Sequence, residues 1–236
     1  MDILSAISII VFAALVHASF QLSVSVLTLL SGHAIGAARS HAKLLRTMNG
    51  FIAGAIVMTM LLLASFALLA SHIETPPQQT AAWTMACGLL IGIGIAVWLV
   101  YFRREQGTTL WIPRGLADHL TARTKATKRS AEAFSLGLTS VLGELLFIIA
   151  PIAVSALALA ALPAVWQLVG IVAYTVISAL PLIIVAGLVG GGHKLSRIQK
   201  WRASNKHFLQ FAAGSSLIVL AGFIYVFEVL ALGVDL

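Results

Sequence analysis

The chain has 236 residues, 60% of them hydrophobic and only 10% charged, and a net charge of +7. Soluble domains carry about a quarter charged residues, and a set of long, all-round apolar helices would leave almost no amphipathic surface for water. Composition therefore excludes a water-soluble globule, and it removes nucleic acid as the reason for the basic balance, because every Lys and Arg falls in a connection between apolar runs.

Cutting the sequence at those runs predicts six spans, 3–31, 48–71, 82–102, 131–161, 164–190 and 208–233. The shortest, at 21 residues, is long enough to cross a hydrocarbon core of roughly 30 Å at about 1.5 Å per residue. The expected fold class is all-α, a polytopic membrane protein of six transmembrane helices. The first run is preceded by Asp2 rather than by the basic stretch of a signal peptide, so it is expected to be retained as a helix. It carries a polar stripe: His17, Gln21, Ser25 and Thr28 fall within about 80° of one another on a helical wheel, with His17 at mid-span.

The connection that follows holds Arg39, Lys43 and Arg46. In the second span Gly50 and Gly54 are four apart, and in the third Gly88 and Gly92 repeat the spacing. Small residues at that interval let helix backbones approach, so both pairs are expected to be packing positions. Cys87, also in the third span, is the only cysteine, which rules out an intramolecular disulfide. Trp98 and Tyr101 close that span as interfacial anchors. Residues 103–130 form the longest connection. They read either as a charged flexible linker or as a short amphipathic helix on the membrane surface after Pro113.

The fourth span holds Glu144 near its middle. An ionisable group at that depth is costly and is a functional-site candidate by default. Ser140, Glu144, Pro151 and Ser155 share one face within about 60°. Thr139 and Ser140 are candidates to line a path beside Glu144, and Gly137, Gly143 and Pro151 are candidates to let the helix bend, since proline removes a backbone hydrogen bond. On the fifth span Tyr174, Ser178 and Pro181 share a face and are candidates for the same cavity. Lys194, Arg197, Lys200, Arg202 and Lys206 follow, and Glu228 lies near the outer end of the last span, an interfacial position.

All basic residues lie in three connections that alternate with segments containing none. Retention of Lys and Arg on the cytoplasmic side then puts both termini outside and the basic loops against anionic lipid of the cytoplasmic (inner) membrane. Residues 1–102 and 131–236 hold three spans each, joined by the basic linker 103–130. An odd number of spans per half inverts the second half relative to the first, a plan of small secondary transporters. The remaining histidines (His33, His41, His72, His119, His193 and His207) lack paired ligand spacing, and whether a metal binds is left open. No nucleotide loop, hydrolase elbow or zinc-protease helix is present, so neither a cofactor nor an enzymatic activity is expected.

Two segments carry a family resemblance. Ser19-Phe20-Gln21-Leu22-Ser23-Val24-Ser25-Val26-Leu27-Thr28-Leu29 resembles the SFLSPCVLPL signature of the CcdA/DsbD membrane domain, with one extra residue after the Phe. Gly137-Leu138-Thr139-Ser140-Val141-Leu142-Gly143-Glu144 resembles the GxTPCxGP signature of the fourth helix of that family. The resemblance implies a six-helix, inverted-repeat member of the LysE-type transporter superfamily. Relatives of that branch pass reducing equivalents through a cysteine pair, but here Ser25 and Val141 stand at those positions, and thiol–disulfide exchange needs both thiols. Other branches export small solutes and ions. The expectation is a small secondary transporter, coupled to protons or cations through Glu144, with His17 and Gln21 opposite and Ser25, Thr28, Thr139 and Ser140 along the path. The alternatives are a redox-inactive membrane scaffold in thiol or cytochrome maturation, or a redox protein that pairs Cys87 with a partner's cysteine. A homo-oligomer is compatible with any of these.

Overall fold

The fold is that of a computed structural model in which residues 1–20, 25–27, 30, 41–101, 122–124, 127, 129–193 and 195–230 are described. Among them there are helices and no strand. Helix α1 (Ile3–Ser19) is N-capped by Asp2, whose Oδ1 accepts from the Ser5 N–H at 3.3 Å. Hydrogen bonding by Ser5 also holds the Asp2 carboxyl below the usual carboxylate range. Helix α2 (His41–Ala70) turns through residues 71–75 into α3 (Pro76–Tyr101). The two prolines that open α3 occupy its first turn, where a missing N–H breaks no helical bond.

Helix α4 (Ser130–Ala160) begins with the Glu132 carboxylate accepting from the Arg129 N–H at 3.1 Å, and a short turn at 161–163 leads into α5 (Ala164–Gly190). Gly192, at φ 83°, supplies the left-handed residue that turns the chain toward α6 (Leu195–Ser204). Helix α7 (Lys206–Ile224) ends in a π-helical turn, Tyr225–Val229.

Helices α2, α3, α4, α5 and α7 are long and apolar enough, by length and composition, to cross a membrane, whereas α1 is a shorter apolar helix. Their outer faces expose large aliphatic side chains, such as Leu168, Val172, Val176 and Ile184 along α5. Lipid, not water, suits such faces, and the chain is a helical membrane protein. The buried share of the apolar stretch is 61% for α4 and at most 39% for the other four, so α4 is the central helix. It packs on α1, α2, α3 and α5; α3 pairs with α7, α1 with α5 and α7, and α2 with α5. The amino-terminal ammonium and Asp2 both act electrostatically on Glu228, which sets the start of α1 beside the end of α7.

Several sequence expectations change. The first helix does not run unbroken over 3–31: Phe20 is extended (φ −79°, ψ 139°), and its N–H closes the last turn on the His17 carbonyl. The Ser19 hydroxyl donates to the Val16 carbonyl at 2.6 Å, a side-chain bond that competes with helix continuation. Helices α2 and α3 begin upstream of 48 and 82, because their polar first turns are helical although not apolar. Glu228, near the end of the last span as expected, is buried within the π-turn. The surface helix expected after Pro113 lies outside the described residues apart from helical Ala122–Thr124, and a helix between spans appears instead at α6.

The glycines divide. A Cβ on Gly54 would overlap the Phe134 carbonyl, and one on Gly137 would overlap the Phe51 carbonyl. Gly50 faces Ser130 in the same seam, so this pair is the close helix contact the spacing predicts. Gly137 is therefore a packing residue of α2 against α4, inside a helix that runs unbroken over Ser130–Ala160. Gly88 and Gly92 meet nothing within 4 Å, and the close approach of α3 to α7 uses Gly94 and Gly214, with Trp98 lying on Gly214 and stacked on Phe211. Helix α4 continues as α-helix through Pro151, and Gly143 is half-buried within it.

Candidate functional site

The polar residues of the first, fourth and fifth predicted spans meet at one place. His17, two residues before the end of α1, shares a 3.0 Å hydrogen bond through Nδ1 with the Tyr174 hydroxyl, and the rings lie 5.6 Å apart. Both side chains are buried. Tyr174 lies in the middle third of α5 and Glu144 at the midpoint of the 31-residue α4. Since α1 is only 17 residues long, about 25 Å at helical rise, it ends at the mid-depth of its neighbours.

At that level a small, partly open cavity separates the helices. Its polar lining is His17 from α1, Thr59 from α2, Glu144 from α4 and Ser178 from α5. Its apolar lining includes Phe20, Val141, Pro181 and Leu182. The Ser178 hydroxyl donates to the Thr175 carbonyl at 3.1 Å, so its lone pairs are the part that faces a ligand as acceptor. Pro181 supplies no N–H to the Ile177 carbonyl one turn earlier. Phe20 stacks on Phe147 at 5.5 Å and 21°, closing the wall between α1 and α4.

Two consequences follow for the chemistry. The carboxyl of Glu144 is 3% exposed in the centre of the central helix, where only a protonated, paired or hydrated state is stable. The end of α1 adds the negative pole of a helix dipole at the same depth. Together these make the cavity a place for a proton or a cation rather than for an anion.

The fold brings His17 and Glu144 to one cavity, a juxtaposition that sequence leaves open because helix rotation is unknown; of the shared face on α5, Ser178 and Pro181 join the lining, whereas Tyr174 stands behind it, bonded to His17. Ser140 is fully buried, with its hydroxyl donating to the Gly137 carbonyl at 2.9 Å, and is not in the lining. Thr139 is exposed, and its hydroxyl is bonded to the Ser135 and Leu136 carbonyls of its own helix. Ser25 is half-buried in the described stretch 25–27, whereas Gln21 and Thr28 lie outside the described residues. Thr59 and Phe20 are the additions. A lone hydroxyl inside an apolar span was the available signal for Thr59, and the signature-like segment itself contained Phe20. Cys87 lies elsewhere, buried between α3 and α7 with its thiol 3.7 Å from the Ala221 carbonyl. Among the described residues no three His, Cys, Asp or Glu side chains group to hold a metal.

The fold and this cavity define a class: a helical membrane protein with a polar chamber at mid-depth, beside an interrupted helix. Comparison with known proteins adds nothing narrower, since no protein-family model, curated protein or solved structure matches the chain.

Proposed function

We propose that this protein is a small secondary transporter, an exporter of a small solute or ion, coupled to protons or cations through Glu144. The observation that carries the proposal is the arrest of α1 at Phe20, beside a mid-depth cavity lined by Glu144 and by His17, which Tyr174 holds from behind through a hydrogen bond. Discontinuous helices whose ends meet a midplane site are the usual way a transporter offers backbone and side-chain polar groups to a ligand inside the bilayer. His17 and Tyr174 hold one wall in place, Glu144 exchanges the proton or cation, and Thr59 and Ser178 supply further polar contacts.

The topology belongs to the same proposal: six crossings, two inverted three-helix repeats, both termini outside, in the cytoplasmic membrane. Three features support it. The start of α1 and the end of α7 lie together, as an even number of crossings requires. Helices α2 and α4 run parallel, since Gly50 meets Ser130 and Gly54 meets Phe134 and Leu138. Much of the packing also keeps its pattern when the halves are exchanged: α1–α4, α2–α5 and α3–α7 map onto themselves, α2–α4 matches α5–α1 and α3–α4 matches α7–α1, while α4–α5 has no α1–α2 counterpart of like size among the described residues. The basic connections then lie against anionic lipid.

The test is proton uptake by the purified protein in proteoliposomes on addition of cations, amino acids and small neutral solutes, comparing wild type with Glu144→Gln. We expect a solute that moves protons in the wild type and not in the variant, with both equally stable. Solute-driven proton uptake unchanged in Glu144→Gln removes Glu144 from the coupling. Silence across the panel, together with a stoichiometric co-purifying partner, favours the scaffold reading.

A further inference from the structure

Resting on the transporter reading of this cavity, we infer that its ligand is a small organic ammonium ion: a singly charged amine carrying a short apolar substituent. The first argument is charge. Among the described residues no Lys or Arg lines the cavity, Glu144 is the one acid in the lining, and the negative end of α1 stops at the cavity edge. An anion would meet a carboxyl and a negative helix pole with no Lys or Arg among the described lining residues to balance them, so the sign of the ligand is positive.

The second argument is coordination. A bare divalent cation wants six or more oxygens, or several converging nitrogen and sulfur ligands. The described residues offer no cluster of that kind. An ammonium group carries three N–H donors and is satisfied by as many acceptors. A carboxylate has about four acceptor positions, so Glu144 serves an ammonium donor even while it engages a neighbour within the fold. The hydroxyl oxygens of Ser178 and Thr59, both in the lining, provide the others.

The third argument is the rest of the wall. Phe20, Ala55, Val141, Ala179, Pro181 and Leu182 outnumber the four polar lining residues. An inorganic monovalent ion would leave that surface unused. A short alkyl group would cover it, gaining roughly fourfold in affinity per buried methylene. The Phe20 ring, held by its stack on Phe147, adds an aromatic wall to which a cation is attracted. The small room left between these walls limits the ligand to a few heavy atoms.

The experiment uses the full chain in proteoliposomes and in detergent, with ethylammonium, butylammonium, sodium and acetate as probes. Binding is read by calorimetry and flux by radiolabelled alkylammonium uptake. Ethylammonium and butylammonium are expected to bind, sodium and acetate at least tenfold more weakly. Glu144→Gln is expected to weaken amine binding on the order of 100-fold, the factor associated with removing one partner of a buried charge pair. Leu182→Ala leaves the carboxyl intact and enlarges the apolar wall, so it should shift preference toward the longer amine by about fivefold. That shift is read independently of whether Glu144→Gln folds.

Tighter binding of acetate or sodium overturns the inference, as does a chain-length preference that Leu182→Ala does not move. The two readings fail differently. Amine binding without flux upholds the ligand class and overturns transport. Glu144-dependent flux of another solute, with no amine binding, upholds transport and overturns the ligand class.

Discussion

Helices α2 and α4 run parallel and meet their surroundings in two contrasting ways along their length. Over Gly50–Gly54 and Ser130–Gly137 they touch backbone to backbone, with no room for a methyl group. One turn further on, Thr59 of α2 and Val141 and Glu144 of α4 line the cavity. The seam consists of residues with nothing to offer chemically, and the cavity of residues that are expensive to hold in a membrane. The close seam fixes the spacing at one end, and that fixed spacing allows a costly polar group to sit at a defined depth just beyond it.

The seam is where substitution should do most damage. Gly54→Ala and Gly137→Ala each place a methyl on a backbone carbonyl of the facing helix, and overpacking of this kind costs about 1–3 kcal/mol or more where backbone cannot yield. Gly88→Ala and Gly92→Ala meet open space and should be neutral or stabilising by up to about 1 kcal/mol, from helix propensity alone. Thermal unfolding of the four variants in one detergent separates the two pairs. Equal loss in all four would mean that the spacing of glycines, and not the α2–α4 contact, is what matters.

The cavity should respond more gently and in a different observable. Tyr174→Phe removes the hydroxyl that meets His17 Nδ1 and leaves a buried imidazole nitrogen short of a partner, at a cost of about 1–3 kcal/mol. If the pair acts as a unit, His17→Phe and Tyr174→Phe together should cost less than the sum of the single changes, by about 0.5–1.5 kcal/mol in a double-mutant cycle. The pH dependence of uptake should move in Tyr174→Phe, which a purely packing role would leave alone. An additive cycle with an unchanged pH profile would reduce the pair to packing.

This contrast also explains what sequence could and could not deliver. Helix type was legible, and so were five of the six expected spans, wherever the chain was uniformly apolar, because lipid exposure leaves a one-dimensional record of hydrophobicity. Glu144 and His17 were legible because charge and polarity at span centres stand out against that background. The break at Phe20 was not: His17, Gln21, Ser25 and Thr28 make a continuous helical stripe on paper, and the competing Ser19 hydroxyl bond to the Val16 carbonyl carries no periodic signal. The distinction between Gly54 and Gly88 was equally hidden, since the same spacing serves a seam in one helix and an outward face in another. Thr139 and Ser140 looked like path residues because hydroxyls are polar, yet both spend their protons on their own helix.

The smallest expected effect lies outside the bundle core, at α6. Its sequence, Leu-Ser-Arg-Ile-Gln-Lys-Trp-Arg-Ala-Ser, places Arg197 and Lys200 on exposed positions, while Ile198 packs against the core and Trp201 is 56% exposed. Such a helix lies in the interface with its charges at headgroup level, at the opposite end of the bundle from Asp2 and Glu228 if α7 crosses. A Lys or Arg near an anionic surface contributes about 1 kcal/mol, close to a fivefold preference per residue. Bilayers of a brominated anionic phospholipid should therefore quench exposed tryptophan, Trp201 included, more than brominated zwitterionic ones do. Arg197→Gln with Lys200→Gln should remove most of that difference, and Trp201→Phe should identify the share that comes from α6. Raising salt from 0.1 to 1 M, which shortens the Debye length from about 10 to about 3 Å, should mimic the double substitution. Quenching that ignores both lipid charge and salt would mean α6 rests on the bundle rather than on lipid, and the positive side of the topology would then depend on the other basic connections alone.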